Sequence, residues 1–170
     1  LEFRRVLFRS PDDGQPWDLS LESKRHKVWW IIEEQDPYLL VGSPPCDPFS
    51  NLHHLNAGRE DPIKRAEKIR QGIIHLSFCF ALYKHRMSRG RYFLHEHPWS
   101  AWSWRLDFVQ GVLRIENVHC RRGDQCPFGQ QSTDKIGTDL VLKPTGRLTN
   151  SLHILERVAI RCSSSSESGV

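Results

Sequence analysis

The chain of 170 residues lacks long hydrophobic runs, a strong charge of one sign and an even number of cysteines. No run approaches the roughly eighteen apolar residues of a membrane-spanning helix, so none is predicted. The net charge is only +4, and no basic stripe stands out, which permits contact with nucleic acid but does not require it. Five cysteines without a secretory signal indicate reduced thiols in an intracellular protein, nuclear or cytoplasmic.

The composition is that of a folded protein. Hydrophobic residues make up 38% of the chain, and six Trp and eight Phe argue against disorder, so one domain with a real core is expected. Residues 1–10 back-translate into a string that resembles a sequencing-library adapter, and we set them aside as non-native; the alternative is a genuine basic amphipathic start. The Ser-rich residues 163–170 are expected to be disordered. The predicted domain is therefore 11–162, with its native N-terminus missing.

Helix and strand patterns alternate along the domain. Apolar periodicity predicts helices over 21–35, from Pro62 to about 89, 99–113 and 149–162, and strands over 38–41, 91–95, 114–120 and 138–142. Residues 121–137 are predicted to be irregular. This order predicts an α/β fold, a partial Rossmann-like and mostly parallel sheet with helices on both faces. Ligands of such sheets lie outside the carboxyl ends of the strands.

A single cysteine lies in a rigid turn at the end of the first predicted strand. Cys46 follows Pro44 and Pro45 and precedes Pro48. A thiolate is a strong nucleophile, and backbone amides that point at the sulfur would favour it. The alternative is a small buried residue that packs the loop. Cys46 is therefore a candidate nucleophile.

A carboxylate ends the second predicted strand. Glu96 stands between His95 and His97, directly before Pro98. Partial burial can keep such a carboxyl protonated and ready to donate its proton. The alternative is an ion pair with Arg91 or with a neighbouring histidine.

The two segments together resemble the cytosine-5 DNA methyltransferase family. That family has Pro-Pro-Cys-Gln-x-Phe-Ser after an apolar strand, and residues 44–50 keep all but the Gln. Its next motif is a strand ending in Glu-Asn-Val, of which residues 93–98 keep the strand and the Glu. The resemblance implies that Cys46 attacks carbon 6 of a flipped-out cytosine, that Glu96 protonates the ring nitrogen, and that S-adenosylmethionine supplies the methyl group. We expect the flanking residues to line the substrate site: Ser43, Pro45, Phe49, Ser50, His95 and His97.

The chain departs from that family at the cofactor site. No Phe-x-Gly-x-Gly loop precedes Cys46, and Gly14 is the only glycine before Gly42. The later Gln-x-Arg-x-Arg motif is also missing, and residues 124–131 occupy roughly its place. No target-recognition domain is visible. The residues that would bind S-adenosylmethionine therefore stay unassigned, and the chain as it stands is expected to be inactive.

A second resemblance covers residues 11–162. Four blocks in order resemble segments of retrotransposon-type polyproteins of protists, especially dinoflagellates: Gly42–Ser50, Gly90–Pro98, Asp124–Gly129 and Lys143–Ser151. The expected function is thus a truncated methyltransferase-like segment of a mobile-element polyprotein. The alternative is a non-catalytic remnant that binds nucleic acid or protein. DNA is a possible partner, a membrane is not expected, and the oligomeric state is left open.

Other residue clusters favour structure over function. His119, Cys120 and Cys126, with His95 or His97, could suggest a zinc site. The spacing of the two cysteines is not that of a structural zinc site, so no metal is expected. Trp99, Trp102 and Trp104 could stack on a base, but helical spacing favours core packing. Arg121, Arg122 and Lys143 could meet phosphates, although a solvated surface is the default for such charges.

Overall fold

The computed structural model describes residues 14, 17–50, 61–133 and 137–162, so the predictions for 1–10 and 163–170 lie outside the described residues. The chain divides into two compact units at Asp36–Pro37. The first unit contains helix α1, Glu22–Gln35, which confirms the predicted helix. Asp36 ends the helix with a left-handed backbone (φ 37°), and its N–H donates to the Ile32 carbonyl.

The second unit is built on a four-stranded mixed sheet. Its strands are β1 (Leu39–Gly42), β2 (Tyr92–Pro98), β3 (His119–Asp124) and β6 (Pro144–Thr149), in the order β1-β2-β6-β3. β1 and β2 are parallel, whereas β6 runs antiparallel to both of its neighbours. The predicted α/β class is confirmed, but the predicted mostly parallel, Rossmann-like sheet is wrong. Strands β4 (Gln131–Thr133) and β5 (Thr138–Leu140) form a separate antiparallel pair.

Strand β6 is the element that overturns the parallel sheet. No strand is predicted from the sequence over Pro144–Thr149. Pro144 is the first residue of the strand, a position where a missing N–H is tolerated. A Cβ at Gly146 would overlap the Trp104 ring, so the glycine lets the indole approach the sheet. With β6 between β2 and β3, the sheet becomes mainly antiparallel.

Helix α2, Pro62–Ser88, connects the two parallel strands and confirms the strongest helix prediction. The Asp61 carboxylate caps it by accepting the Ile63 N–H at 2.9 Å, and Pro62 occupies the first turn. Its C-terminal half buries apolar side chains against the sheet. These side chains are Leu76, Cys79, Phe80 and Tyr83. They form one core cluster with Phe49, Phe93, Val109, Val112 and Leu148.

The remaining helices are shorter than predicted. Helix α3 covers only Asp107–Leu113, because residues 102–105 form a 3-10 turn and Pro98 ends β2 instead of opening a helix. Helix α4 covers Leu152–Val158, with the Ser151 hydroxyl accepting the Ile154 N–H. The strand predicted at 114–120 is shifted to β3, which also shortens the predicted irregular segment.

Helices lie on both faces of the sheet. Strand side chains alternate between faces, and α2 packs on the face that carries Phe93 and Leu148. A Cβ at Gly123 in β3 would meet the backbone of Ala159, just after α4, which places that helix on the opposite face. Within the described ranges, no helix is both long and apolar enough to cross a membrane.

Candidate functional site

The parallel pairing of β1 and β2 brings the two predicted motifs together. Gly42 lies opposite His95 in the parallel register. The residues that follow them, Ser43 and Glu96, therefore lie close together at the same edge of the sheet. The Ser43 hydroxyl donates a hydrogen bond of 2.5 Å to Oε2 of Glu96. A hydroxyl bound to a carboxylate is a short and strong contact. The end of β1 and the carboxylate of β2 therefore form one site.

The cysteine turn is fixed by its own packing. Residues 47–49 form a 3-10 turn, in which the Cys46 carbonyl accepts the Phe49 N–H at 2.9 Å. The Phe49 ring is fully buried and makes edge contacts with Trp102 at 5.1 Å and His97 at 5.6 Å. Cys46 itself is half-buried, three residues beyond Ser43. The turn thus holds its thiol in a defined place near the strand end, within reach of solvent.

His95 and His97 point to the opposite face of β2 from Glu96, because alternate residues of the strand are buried. Both are about 1% exposed, and their rings stack with centroids 5.5 Å apart. Nδ1 of His95 pairs with the Tyr83 hydroxyl at 3.0 Å. Burial lowers the pKa of His95 to about 3 and that of His97 to about 4, so both are neutral at pH 7. They pack the core, and their predicted contact with substrate stays a prediction.

Glu96 has further partners that the sequence did not indicate. Nε2 of Gln125 donates to Oε1 of Glu96 at 3.3 Å and to Oγ1 of Thr145 at 3.2 Å. Arg147 is the cross-strand neighbour of Glu96 on β6. Burial lowers the pKa of Arg147, and the negative charge of Glu96 partly offsets that effect. Because β6 was not predicted, its residues could not be assigned to the site.

The other cysteines help to single out Cys46. All five cysteines are free thiols. Burial raises the pKa of Cys79 to about 12 and that of Cys120 to about 11. Burial, together with a hydrogen bond to Cys162, raises the pKa of Cys126 to about 11. Such thiols are poor nucleophiles at neutral pH. Cys46 and Cys162 are the two half-buried cysteines outside that group.

The tryptophan cluster is mainly a packing element. Trp102 and Trp104 pack against the core cluster, and Nε1 of Trp104 donates to the Pro98 carbonyl at 2.8 Å. Trp99, in contrast, is 44% exposed. In the part of the chain that the structure describes, no three His, Cys, Asp or Glu side chains form a group that could hold a metal ion.

Comparison of the chain with protein-family models, curated proteins and solved structures gives no match. The geometry of Ser43, Cys46 and Glu96, together with the motif resemblance, is therefore the basis for assigning a function.

Proposed function

We propose that the Ser43–Cys46 turn and Glu96 form a site for reversible thiol addition to cytosine in nucleic acid, within a retrotransposon-type polyprotein segment that resembles cytosine-5 DNA methyltransferases. The Ser43–Glu96 hydrogen bond is the observation that carries the proposal. It joins the two motifs across parallel strands, where the resemblance requires nucleophile and acid to act on one ring. The half-buried Cys46 lies on the same turn as Ser43.

The proposed step needs no partner other than water. The Cys46 thiolate sulfur bonds to carbon 6 of cytosine, while the Glu96 carboxylate takes up a proton from water and passes it to ring nitrogen 3. Carbon 5 then carries enamine character and takes a proton from water. Loss of the original carbon 5 hydrogen, return of the nitrogen proton and expulsion of the thiolate restore cytosine. The net result is exchange of the carbon 5 hydrogen with solvent. The base must be unpaired or flipped out of its stack.

Methyl transfer is not part of this proposal. S-adenosylmethionine is implied by the resemblance alone, and the residues around Glu96 are polar side chains of strand ends and turns. The family's glycine-rich loop precedes the cysteine turn, where this chain has Gly14 as its only glycine before Gly42. We therefore expect no methylation by the chain as it stands, whereas the proposed hydrogen exchange needs no cofactor.

Hydrogen exchange at cytosine carbon 5 tests the proposed function directly. A single-stranded cytosine oligonucleotide is incubated in D₂O with the protein, and loss of the carbon 5 proton signal is followed by NMR. We expect exchange with the wild type, none with Cys46→Ser, and a rate about 100-fold lower with Glu96→Gln, a typical loss for a general acid. Cys162→Ser, at another half-buried cysteine, is the control and should keep the wild-type rate.

Exchange that survives Cys46→Ser, or a wild type that does not exchange, would overturn the proposal. In the second case, equal binding of the oligonucleotide by the wild type and Cys46→Ser would favour the alternative, a non-catalytic nucleic-acid-binding remnant. The mild positive charge of +4 is compatible with that alternative.

A further inference from the structure

The Glu96 carboxylate is the centre of a hydrogen-bond network whose residues come from four segments that are far apart in the sequence. Ser43 binds one carboxylate oxygen, and Gln125 binds the other. The same Gln125 nitrogen also binds Thr145. These four residues come one each from the four sequence blocks at 42–50, 90–98, 124–129 and 143–151. The fold thus joins all four blocks at a single carboxylate.

The orientation of the Gln125 amide is determined by its surroundings. Thr145 is fully buried, and its hydroxyl donates to the Lys143 carbonyl at 3.2 Å. A hydroxyl has one proton, so toward Gln125 it can only accept. The NH₂ group, and not the carbonyl oxygen, of Gln125 must therefore face Thr145 and Glu96. Thr145 in this way sets which end of the amide meets the carboxylate.

The backbone around Gln125 is equally constrained. Its carbonyl accepts the N–H groups of Phe128 at 3.0 Å and Gln130 at 3.3 Å, which closes the turn that follows β3. Gly129 completes that turn with a left-handed backbone (φ 79°). The side chain of Gln125 is thus presented from a closed turn toward the sheet, and its position does not depend on Glu96 alone.

We propose that Gln125 is a positioning residue that holds the Glu96 carboxyl group for proton transfer, with Thr145 fixing its amide. This inference rests on the proposed function of Glu96. Held by Ser43 on one oxygen and by Gln125 on the other, the carboxyl group keeps one orientation on β2. Loss of one holder lets the group rotate, and small misplacements of a catalytic group are costly.

Cytosine exchange by variants at position 125 tests this role. For Gln125→Ala we expect kcat about 10- to 100-fold lower with KM little changed, because the variant loses a contact that positions Glu96 and not one that binds the substrate. Thr145→Val should act in the same direction through the amide. Gln130→Ala, at an exposed glutamine of the same turn, is the control and should keep the wild-type kcat. Wild-type kcat in Gln125→Ala would overturn the inference while the proposed function stands.

An NMR measurement separates failure of this inference from failure of the proposed function. The side-chain NH₂ signals of Gln125 are compared in the wild type, Glu96→Gln and the control Glu116→Gln, at an exposed glutamate. We expect them to shift in Glu96→Gln alone. If the wild type does not exchange cytosine, the proposed function fails, and with it a catalytic role for Gln125. Unshifted signals in Glu96→Gln would overturn the contact itself, whatever the activity.

Discussion

A single glycine, Gly146, allows the Trp104 indole to pack against strand β6. A side chain at Gly146 would point to the α2 face of the sheet and overlap the Trp104 ring. That ring also makes edge contacts with His95 at 5.6 Å and His97 at 6.0 Å. The close approach of an aromatic ring to backbone is a recognised reason for glycine inside a strand.

Gly146→Ala should therefore destabilise the protein. We expect the free energy of unfolding to fall by about 1–3 kcal/mol, because the indole must shift within a packed core. Urea unfolding followed by Trp fluorescence measures the change. The control is Gly111→Ala in α3, where an added Cβ meets nothing within 4 Å and alanine should stabilise the helix by about 0.5–1 kcal/mol. Equal stability of Gly146→Ala and the wild type would contradict this packing argument.

Among single residues, the site was predictable only where chemistry and position coincide. Glu96 and the Cys46 turn stand out in the sequence, since each follows a predicted strand and carries a reactive group. In the structure β2 continues to Pro98, so Glu96 lies within the strand and not at its end. Ser43 was included as a neighbour of Cys46, and its bond to Glu96 follows from the parallel register. Gln125 could not be predicted, because an amide in a turn has no distinctive chemistry until the fold brings Glu96 to it.

Strand β2 buries two histidines in an aromatic layer between the sheet and α2. His95 contacts Phe80 at 5.0 Å, and His97 contacts Phe49 at 5.6 Å. Both ring nitrogens of His97 are buried without a hydrogen-bond partner among the described residues. A protonated imidazole at His97 would be a buried charge that the nearby Glu96 offsets only in part, and burial lowers the pKa of both histidines.

The stability of the protein should consequently fall in mild acid. The unfolded chain binds protons near the ordinary histidine pKa of about 6.5, whereas folded His97 binds one only near pH 4. Between these values the unfolded state holds more protons, so the free energy of unfolding decreases as the pH falls. The loss from His97 alone is on the order of 3 kcal/mol at pH 4.

Urea unfolding at pH 7 and pH 4.5 measures this loss. In His97→Leu we expect a clearly smaller difference between the two pH values, because one of the two buried imidazoles is removed. His153→Leu, at an exposed histidine of α4, should retain the wild-type pH dependence. A His97→Leu variant as acid-sensitive as the wild type would refute this explanation.

Among helices and strands, predictions succeeded where the local pattern and the packing agree. Helix α2 has a cap, a proline at its start and an apolar face over many turns, and all three act in the structure. Strand β6 begins with Pro-Thr-Gly, and its strand conformation depends on two neighbouring strands and on the Trp104 ring. This antiparallel pairing is set by tertiary contacts and not by the local pattern, and it replaces the expected parallel order.

For the second unit as a whole, one carboxylate joins the edge of the sheet to the segment after α4. Asp124, at the end of β3, is fully buried. Its Oδ2 accepts the Cys162 N–H at 2.9 Å and Nε of Arg161 at 3.0 Å, and its own N–H donates to the Ile160 carbonyl at 2.8 Å. Burial alone would raise the pKa of Asp124, but these donors and Arg122 lower it overall.

Asp124→Ala should weaken the connection between the sheet edge and residues 160–162 and destabilise the second unit. It removes the acceptor for the Cys162 N–H and for Arg161, and it leaves Arg122, whose side chain is 28% exposed, without its carboxylate. Removing such a buried, hydrogen-bonded carboxylate is expected to lower the free energy of unfolding by about 3 kcal/mol.

Amide hydrogen exchange shows whether that cost reaches α4. The segment that Asp124 holds follows α4 (Leu152–Val158) and connects it to the sheet. The amides of α4 should therefore exchange faster in Asp124→Ala, while those of α2 should change only in proportion to global stability. Asp139→Ala, at an exposed aspartate of β5, is the matched control and should change stability by less than about 0.5 kcal/mol. If α4 keeps its protection in Asp124→Ala, its own packing through the buried Leu155 holds it on the sheet, and the carboxylate closes only residues 160–162.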